Sequence, residues 1–537
     1  MKHISSFLLF ILCFVQLTGQ ELFDKDKLNT YFDVIEAHNQ FMGSVALSHK
    51  GEIIYSRALG YSNIDEGIKN ENDTRYVIGS ISKTFTSVLV FKAIESNLIE
   101  LETPLSRFFP SVVNSDVITI DHLLSHTSGL ENYTNCEDFN TTYKKHFSKE
   151  ELVDLFSSFK SDFKPGTSKA YSNSNYLLLS CILERIHGKA FETILRQNIV
   201  TPLKLSATYL GKNIGRREKE ALPYVFGNRY LKEEMTSHTV LMGAGGIVST
   251  ASDLLKFADH LFYGNLVSKE SLEKMYPKED AMGKGLFAIP FYDRKGYGHS
   301  GGIDGFSSLM ASFEQDSLCL SIVSNGSQMK MNDVAITLLS AFYNKEYQIP
   351  EFSEPVQLTL QEMEQFCGVY ASDDFPSKFT VALKDSLLTG QLEGQSAFPL
   401  TAKTKTVLEY AMAGVVLQFN LTSHELVLKQ AGSKILYKNE QYYKPKTAKV
   451  LSKAQLEELK QYCGVYSSQM FPVKYFVSLT DTGLTAKLGN QPALPLTETK
   501  KHHFEYRPAD VTLEFKNSSD VLVFKQGDFT ILFSKDN

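Results

Sequence analysis

A gapless internal repeat constrains the fold of this chain more than any other feature. Shifting the sequence by 96 positions lays Cys367-Gly368-Val369-Tyr370 on Cys463-Gly464-Val465-Tyr466, Phe375-Pro376 on Phe471-Pro472, and Pro399-Leu400-Thr401 on Pro495-Leu496-Thr497. The same register pairs Glu409-Tyr410 with Glu505-Tyr506 and Lys429-Gln430 with Lys525-Gln526. Register kept without an insertion over so long a stretch means duplication of one structural unit. Each copy opens with a short acidic helix and continues as alternating strands with polar turns, which predicts two small antiparallel β-barrels, at 355–446 and 451–537. They serve as spacers or covers, or lend a loop that narrows a cleft elsewhere. Cys367 and Cys463 occupy one repeat position, so they are not partners within a unit.

The remaining folded part, 21–349, has a different pattern. An amphipathic helix over 24–41 precedes two strand runs, Ser44–Ser48 and Glu52–Tyr61, that turn at Lys50-Gly51. Helical segments dominate from about 81 to 265. Strands return at Gly305–Phe313 and Leu318–Val323, and a helix at Asn332–Tyr343 closes the unit. This order describes an α/β (α+β) sandwich built around an antiparallel sheet.

Three short motifs in this region carry chemistry. Val77-Ile78-Gly79-Ser80-Ile81-Ser82-Lys83 leads into an apolar helical run, Phe85 to Ile99. A serine at a helix start has free N–H groups around it, and a lysine one turn on shares its face, so Ser80 and Lys83 are a candidate activated nucleophile. Ser157, Ser161, Ser271 and Ser327 also precede a lysine by three positions, so the company of the other motifs carries the weight. Tyr171-Ser172-Asn173 follows a Pro165-Gly166 turn and precedes an apolar helix, Tyr176 to Ile186. A phenol there accepts a proton if a nearby ammonium lowers its pKa, and the Asn173 amide offers both a donor and an acceptor. Gly298-His299-Ser300-Gly301-Gly302 ends a strand-like segment from about Phe287, where glycines leave room for a substrate backbone.

In this order, the motifs resemble those of the penicillin-binding protein and serine β-lactamase superfamily, in the branch of class C β-lactamases, D-aminopeptidase, DD-carboxypeptidases and related esterases. Leu101-Glu102-Thr103-Pro104-Leu105, Leu123 to Leu130 and Gly245 to Leu254 fit the same resemblance, which covers roughly 25–345. It implies a β-lactamase/transpeptidase-like sandwich with the cleft between sheet and helical region, and C-terminal barrels like those of D-aminopeptidase. It also implies Ser80 as acyl-accepting nucleophile, Lys83 as its activating partner, Tyr171 as general base and Asn173 as anchor of lysine and substrate. The N–H groups of Ser80 and Gly302 would form the oxyanion hole, with His299, Gly301 and Gly302 on the substrate. Many superfamily members carry lysine where this chain has His299; a histidine is mostly neutral at pH 7 and grips a carboxylate poorly. The expectation is an exported serine hydrolase working through an acyl-enzyme on a small amide or ester, with D-amino-acid peptides among the candidates. The alternatives are a β-lactamase or DD-carboxypeptidase, and a receptor that is acylated once without turnover.

Composition narrows the classes further. The chain has 537 residues, 43% hydrophobic and 22% charged, with net charge −6 and no basic cluster, which argues for large cores and against nucleic-acid binding. Met1-Lys2-His3, the apolar run Phe7 to Leu17 and Thr18-Gly19-Gln20 read as a signal peptide over 1–19, hence export to a bacterial periplasm or the extracellular space. No other run has transmembrane length. Cys136, Cys181, Cys319, Cys367 and Cys463 are too scattered for a disulfide framework. His122 and His126 lack a third ligand, so no metal or other cofactor is implied. The expected partner is a small-molecule or short-peptide substrate; the sequence leaves the oligomeric state open.

Overall fold

The computed structural model describes residues 23–536 except 136–142, 213–217, 227–228, 279–280, 353–355, 385–386, 394, 396, 411–412, 431, 445–450, 469–472, 490–492, 517–519 and 527–528. The signal-peptide reading, Cys136 and the unit boundaries at 355 and 446 lie outside the described residues.

Helix α1 (Lys25–Ala37) is capped by the Asp24 carboxylate, which accepts the Lys27 N–H at 2.9 Å. It precedes β1 (Phe41–His49) and β2 (Glu52–Leu59). The central sheet is completed by β3 (Phe287–Ala288), β4 (Tyr297–Ile303), β5 (Phe306–Phe313) and β6 (Leu318–Ser327). It is antiparallel, in the order β3-β4-β5-β6-β1-β2. The period-2 alternation of these strands sends Val45, Leu47, Leu309, Leu320 and Ile322 to one face, against Leu28, Phe32 and Ile35 of α1 and Val334 and Leu338 of a closing helix, Met331–Phe342. Ala46, Met310, Cys319 and Val323 point to the opposite face, into the core of the helical region. The result is a β-lactamase-like α/β sandwich.

Helix α2 (Ser82–Glu95) runs through the middle of that second core. It is buried on all sides from Ser82 to Phe91, which explains the absence of a polar stripe in its sequence. Its polar side chains are satisfied internally: Thr84 Oγ1 donates to the Gly285 carbonyl at 2.7 Å and Thr86 Oγ1 to that of Gly243 at 2.8 Å.

Beyond residue 360 the chain forms two nine-stranded antiparallel sheets. In each sheet the strands at the two ends of the order are consecutive in the chain, Phe398–Pro399 with Thr401–Thr404 and Leu494–Pro495 with Thr497–Lys500, so each sheet curls into a nearly closed barrel. Every strand of the second falls 96 positions after its counterpart, from Gly368–Ala371 and Gly464–Ser467 to Ser433–Asn439 and Phe529–Lys535. The barrels touch through Tyr506, whose hydroxyl donates to the Asp374 carbonyl at 2.7 Å.

Candidate active site

Ser80 lies in a single 3-10 turn, Gly79–Ile81, that leads directly into α2. Gly79 has φ +50°, and a Cβ there would stand 2.7 Å from the Gly302 amide nitrogen. The nucleophile turn is therefore pressed against β4. Lys83, on the first turn of α2, is fully buried. Its Nζ lies 3.0 Å from Ser80 Oγ, 2.7 Å from Asn173 Oδ1 and 2.6 Å from the Ala244 carbonyl oxygen. Burial holds its pKa well below that of an ordinary lysine, which favours the neutral amine. A neutral amine has two N–H bonds and one lone pair. The two carbonyl oxygens can only accept, so they take both N–H bonds and leave the lone pair facing the Ser80 hydroxyl.

The Asn173 amide is itself fixed. It stands at the start of α3 (Asn173–His187), and its Nδ2 donates to Asn132 Oδ1 at 3.2 Å and Thr134 Oγ1 at 2.9 Å. With both donors used, only Oδ1 is presented to Lys83. This differs from the expectation that the amide offers a free donor to substrate; the geometry supports the lysine-anchoring half of that reading. Asn132, Thr134 and the Ala244 carbonyl were missed from sequence, because nothing local marks a side chain or carbonyl that supports another residue from a distant loop.

Tyr171 differs more. Burial pushes its phenol well above the ordinary tyrosine range, and its hydrogen bond with Ser80 lowers it only in part. The Lys83 Nζ lies 4.9 Å from the centre of its ring, but its lowered pKa weakens it as the ammonium that would favour a phenolate. Tyr171 is thus a neutral hydroxyl at Ser80, suited to relaying a proton. The His126 ring packs 4.5 Å from it, and His126 Nδ1 accepts the Ser172 N–H at 3.2 Å, so this buried histidine fixes the loop. His122 faces elsewhere and caps its own helix, accepting the Thr119 N–H at 3.2 Å.

The third motif lies inside β4 rather than at the end of a strand. The short β3 pairs only with Tyr297 and Gly298, so among the described residues no strand covers the β4 edge from His299 onward. Gly301 is cleared for the protein, not for substrate: a Cβ there would stand 2.1 Å from the Ile78 carbonyl oxygen and 2.9 Å from the Ser80 nitrogen. Gly302 has open space, with nothing nearer than 3.8 Å. Gly301→Ala should therefore shift backbone at the oxyanion position and lower kcat by ~10²–10³, the range for losing one such donor. Gly302→Ala should fold like the parent, and thermal melts beside steady-state rates separate the two. His299 is buried, its Nδ1 donates to the Ser300 carbonyl at 2.5 Å, and burial pushes its pKa down to about 3. It is a neutral wall packed at 4.7 Å from the Phe287 ring, not an exposed substrate grip.

The β4–β5 turn is clamped beside Gly302. Asp304 Oδ1 pairs with Lys144 Nζ at 3.1 Å and accepts from Thr236 Oγ1 at 2.8 Å, while Oδ2 accepts the Thr236 N–H at 2.5 Å. Asp304→Ala removes the charge partner of a partly buried lysine, which keeps the Glu234 carbonyl, and should cost about 1–3 kcal/mol in a denaturant melt.

A cavity of about 250 Å³ opens at Ser80, lined by Gly79, Ser80, Tyr133, Thr134, Asn173, Leu241, Ala244, Gly245, Gly302 and Ile303. None of those side chains is charged, and none comes from the barrels. No cleft-narrowing loop from the repeats is among the described residues at the site.

Residues 33–342 match the family model described as Beta-lactamase. Penicillin-binding protein 4* of Bacillus subtilis (strain 168) is 26% identical over 351 residues, covering 60% of this chain and 77% of that protein. Teichoic acid D-alanine hydrolase of Staphylococcus aureus (strain MRSA252) is 28% identical over 266 residues, and the chain spans 65% of its length and matches over 48% of its own. Among solved structures, the octameric penicillin-binding protein homologue from Pyrococcus abyssi superposes with TM-score 0.54 at 22% identity, over 77% of this chain and all (100%) of that one. D-amino acid amidase from Ochrobactrum anthropi SV3, complexed with L-phenylalanine, gives 0.53 at 22%, over 59% and 99%. At such identities the structural likeness speaks for the fold alone. The family match runs from within α1 to the closing helix and so takes in the sandwich, the Ser80 turn and β4 together; this chain belongs to the Beta-lactamase family and is a serine hydrolase.

Proposed function

We propose that the enzyme is exported and hydrolyses a small ester or amide of a D-amino acid through an acyl-enzyme on Ser80. The observation that carries this reading is the position of Lys83 Nζ, within hydrogen-bond reach of Ser80 Oγ and of two carbonyl acceptors, which as a neutral amine would turn its lone pair towards the hydroxyl. Lys83 takes the hydroxyl proton as Ser80 Oγ attacks the substrate carbonyl. The oxyanion forms between the N–H groups of Ser80 and Gly302, each a fixed donor whose loss costs ~3–4 kcal/mol. Neutral Tyr171 passes a proton to the leaving alcohol or amine and refills from Lys83. Water then attacks the ester, Lys83 accepts its proton, and Ser80 leaves with one restored. The sandwich at 21–349 holds this machinery, and the units at 355–446 and 451–537 are accessory.

The substrate class rests on charge. Among the described residues the cleft is lined by no charged side chain, and burial keeps His299 far below its ordinary pKa, so none of them recognises a free carboxylate beside the scissile bond. That favours a D-alanyl ester or a D-amino-acid amide over carboxylate-bearing penicillins and peptides ending in a free carboxylate. The names of the relatives, a teichoic acid D-alanine hydrolase and a D-amino acid amidase, agree with this direction.

The test is turnover of D-alanyl and D-phenylalanyl esters and amides, their L-enantiomers and nitrocefin by one preparation, with intact mass after fluorophosphonate treatment. Multiple turnover with a preference for the D-series and negligible nitrocefin hydrolysis is expected. Rapid nitrocefin turnover defeats the charge argument, and a one-for-one penicillin adduct without turnover supports the receptor alternative.

A further inference from the structure

A second hollow, larger than the catalytic cleft, lies apart from it. It has a volume of about 850 Å³ and lies on the other side of a helix, α4 (His238–Gly245). Leu241 and Ala244 of this helix line the catalytic cleft, whereas His238, Thr239 and Met242 line the second cavity. The two spaces share a partition and no lining residue.

The walls of the second cavity are apolar: Phe109, Phe147, Leu152, Phe156, Leu210 and Met242. Polar groups among them are engaged within the protein. Ser148 Oγ accepts the Glu151 N–H at 3.2 Å, Thr239 Oγ1 that of Phe147 at 2.9 Å, and Glu184 Oε1 that of Phe191 at 2.9 Å. The interior therefore offers a guest apolar contact and little else. The rim is different, because Arg185, Lys189 and Lys212 lie there, all exposed, with no ion pair to a described residue. Lys189 bonds only the neutral Gln197 side chain, at 2.9 Å. The Arg185 guanidinium sits 3.9 Å over the Phe109 ring, so a fixed cation adjoins the apolar wall. Glu184 is the one acid among the described residues of the lining.

A hollow within the usual ~300–1,000 Å³ of ligand sites, apolar inside and cationic at the mouth, has a definite complement. We propose that it binds a single-chain amphiphile with an anionic head, such as a medium- or long-chain fatty carboxylate. The chain lies among Phe109, Leu152, Phe156 and Met242, and the head is held at Arg185 and Lys212. Apolar surface buried at ~25 cal/mol per Å² supplies most of the affinity, and the cations select the head. This ligand is not the hydrolytic substrate, since α4 separates it from Ser80.

Calorimetric titration of the full chain with dodecanoate, dodecyltrimethylammonium and acetate, below micellar concentrations, tests it. One dodecanoate per chain is expected, with acetate silent and the cationic detergent at least about tenfold weaker, a difference of ~1.4 kcal/mol. Leu152→Trp, which fills the cavity, should abolish binding. Enzyme blocked at Ser80 by fluorophosphonate should bind dodecanoate as the free enzyme does. Equal affinity for both head charges, or undiminished binding by folded Leu152→Trp, overturns the proposal, and loss of binding on fluorophosphonate blockage assigns the ligand to the catalytic cleft instead. If Leu152→Trp does not fold, the surface change Arg185→Glu with Lys212→Glu must reverse the head-group preference; unchanged preference overturns the proposal equally.

Discussion

Ser80→Ala should abolish turnover of every ester and amide substrate, with kcat/KM below about a hundredth of the parent value, while thermal stability hardly moves. Ser80 Oγ is the atom that must form the acyl bond, and Lys83 Nζ stands 3.0 Å from it. Without that oxygen, Lys83 faces a methyl group and the best remaining nucleophile is an unpositioned water. The fold loses little. Ser80 is only partly buried and lines an open cleft, and Lys83 keeps its contacts with Asn173 Oδ1 and the Ala244 carbonyl. One hydrogen bond of this kind contributes ~1 kcal/mol. Steady-state rates, melting curves and the disappearance of the fluorophosphonate adduct check the three parts of the expectation. Residual activity above that hundredth sinks the assignment of Ser80.

Lys83→Met should be nearly as severe in rate, a loss of ~10²–10⁴, because it removes the proton acceptor and keeps the volume. Its effect on stability is the sum of two opposed changes. The side chain that replaces a fully buried amine needs no desolvation, but Asn173 Oδ1 and the Ala244 carbonyl lose their donor, at ~1–3 kcal/mol for each orphaned group. A small net shift is expected in a denaturant melt.

The pH dependence follows from the same residue. Burial lowers the pKa of Lys83 in the folded state, so between that value and the ordinary lysine value the unfolded chain binds more protons than the folded one. Stability contributed at this site therefore rises with pH across that window. The base is lost as pH falls through the folded pKa, which gives kcat/KM an acid limb. The neighbouring histidines titrate below their ordinary range, since burial pushes His299 down to about 3 and His126 well below its usual value. A pH–rate profile of His299→Gln should keep the limb of the parent. If it vanishes, His299 and not Lys83 is the titrating group.

Much of the fold could be read locally. The two strands turning at Lys50-Gly51, the helix before them and the closing helix are short-range patterns of period 2 or 3.6, and their bounds moved by only a few residues. The stretch before His299 was harder. A continuous strand from Phe287 was expected, yet only Phe287–Ala288 and Tyr297–Ile303 pair, and the sequence does not say where a short edge strand stops. Gly301 was cleared for a substrate in the sequence reading; its actual neighbours, the Ile78 carbonyl and the Ser80 nitrogen, lie more than two hundred positions earlier in the chain. The burial of His299 has the same origin, since Phe287 and Tyr171 reach it only in the assembled cleft.

By itself, the sequence determined the alternating strands of the barrels, the register that relates them and the order of the three motifs, because each is written in neighbouring residues. Only the tertiary structure decided which group at Ser80 holds a usable lone pair. That depends on Asn173, 90 positions from Lys83, and on a backbone carbonyl 161 positions from it. Desolvation and hydrogen bonding set a proton affinity through whatever surrounds a group in space, and for Lys83 those surroundings come from three separate segments of the chain.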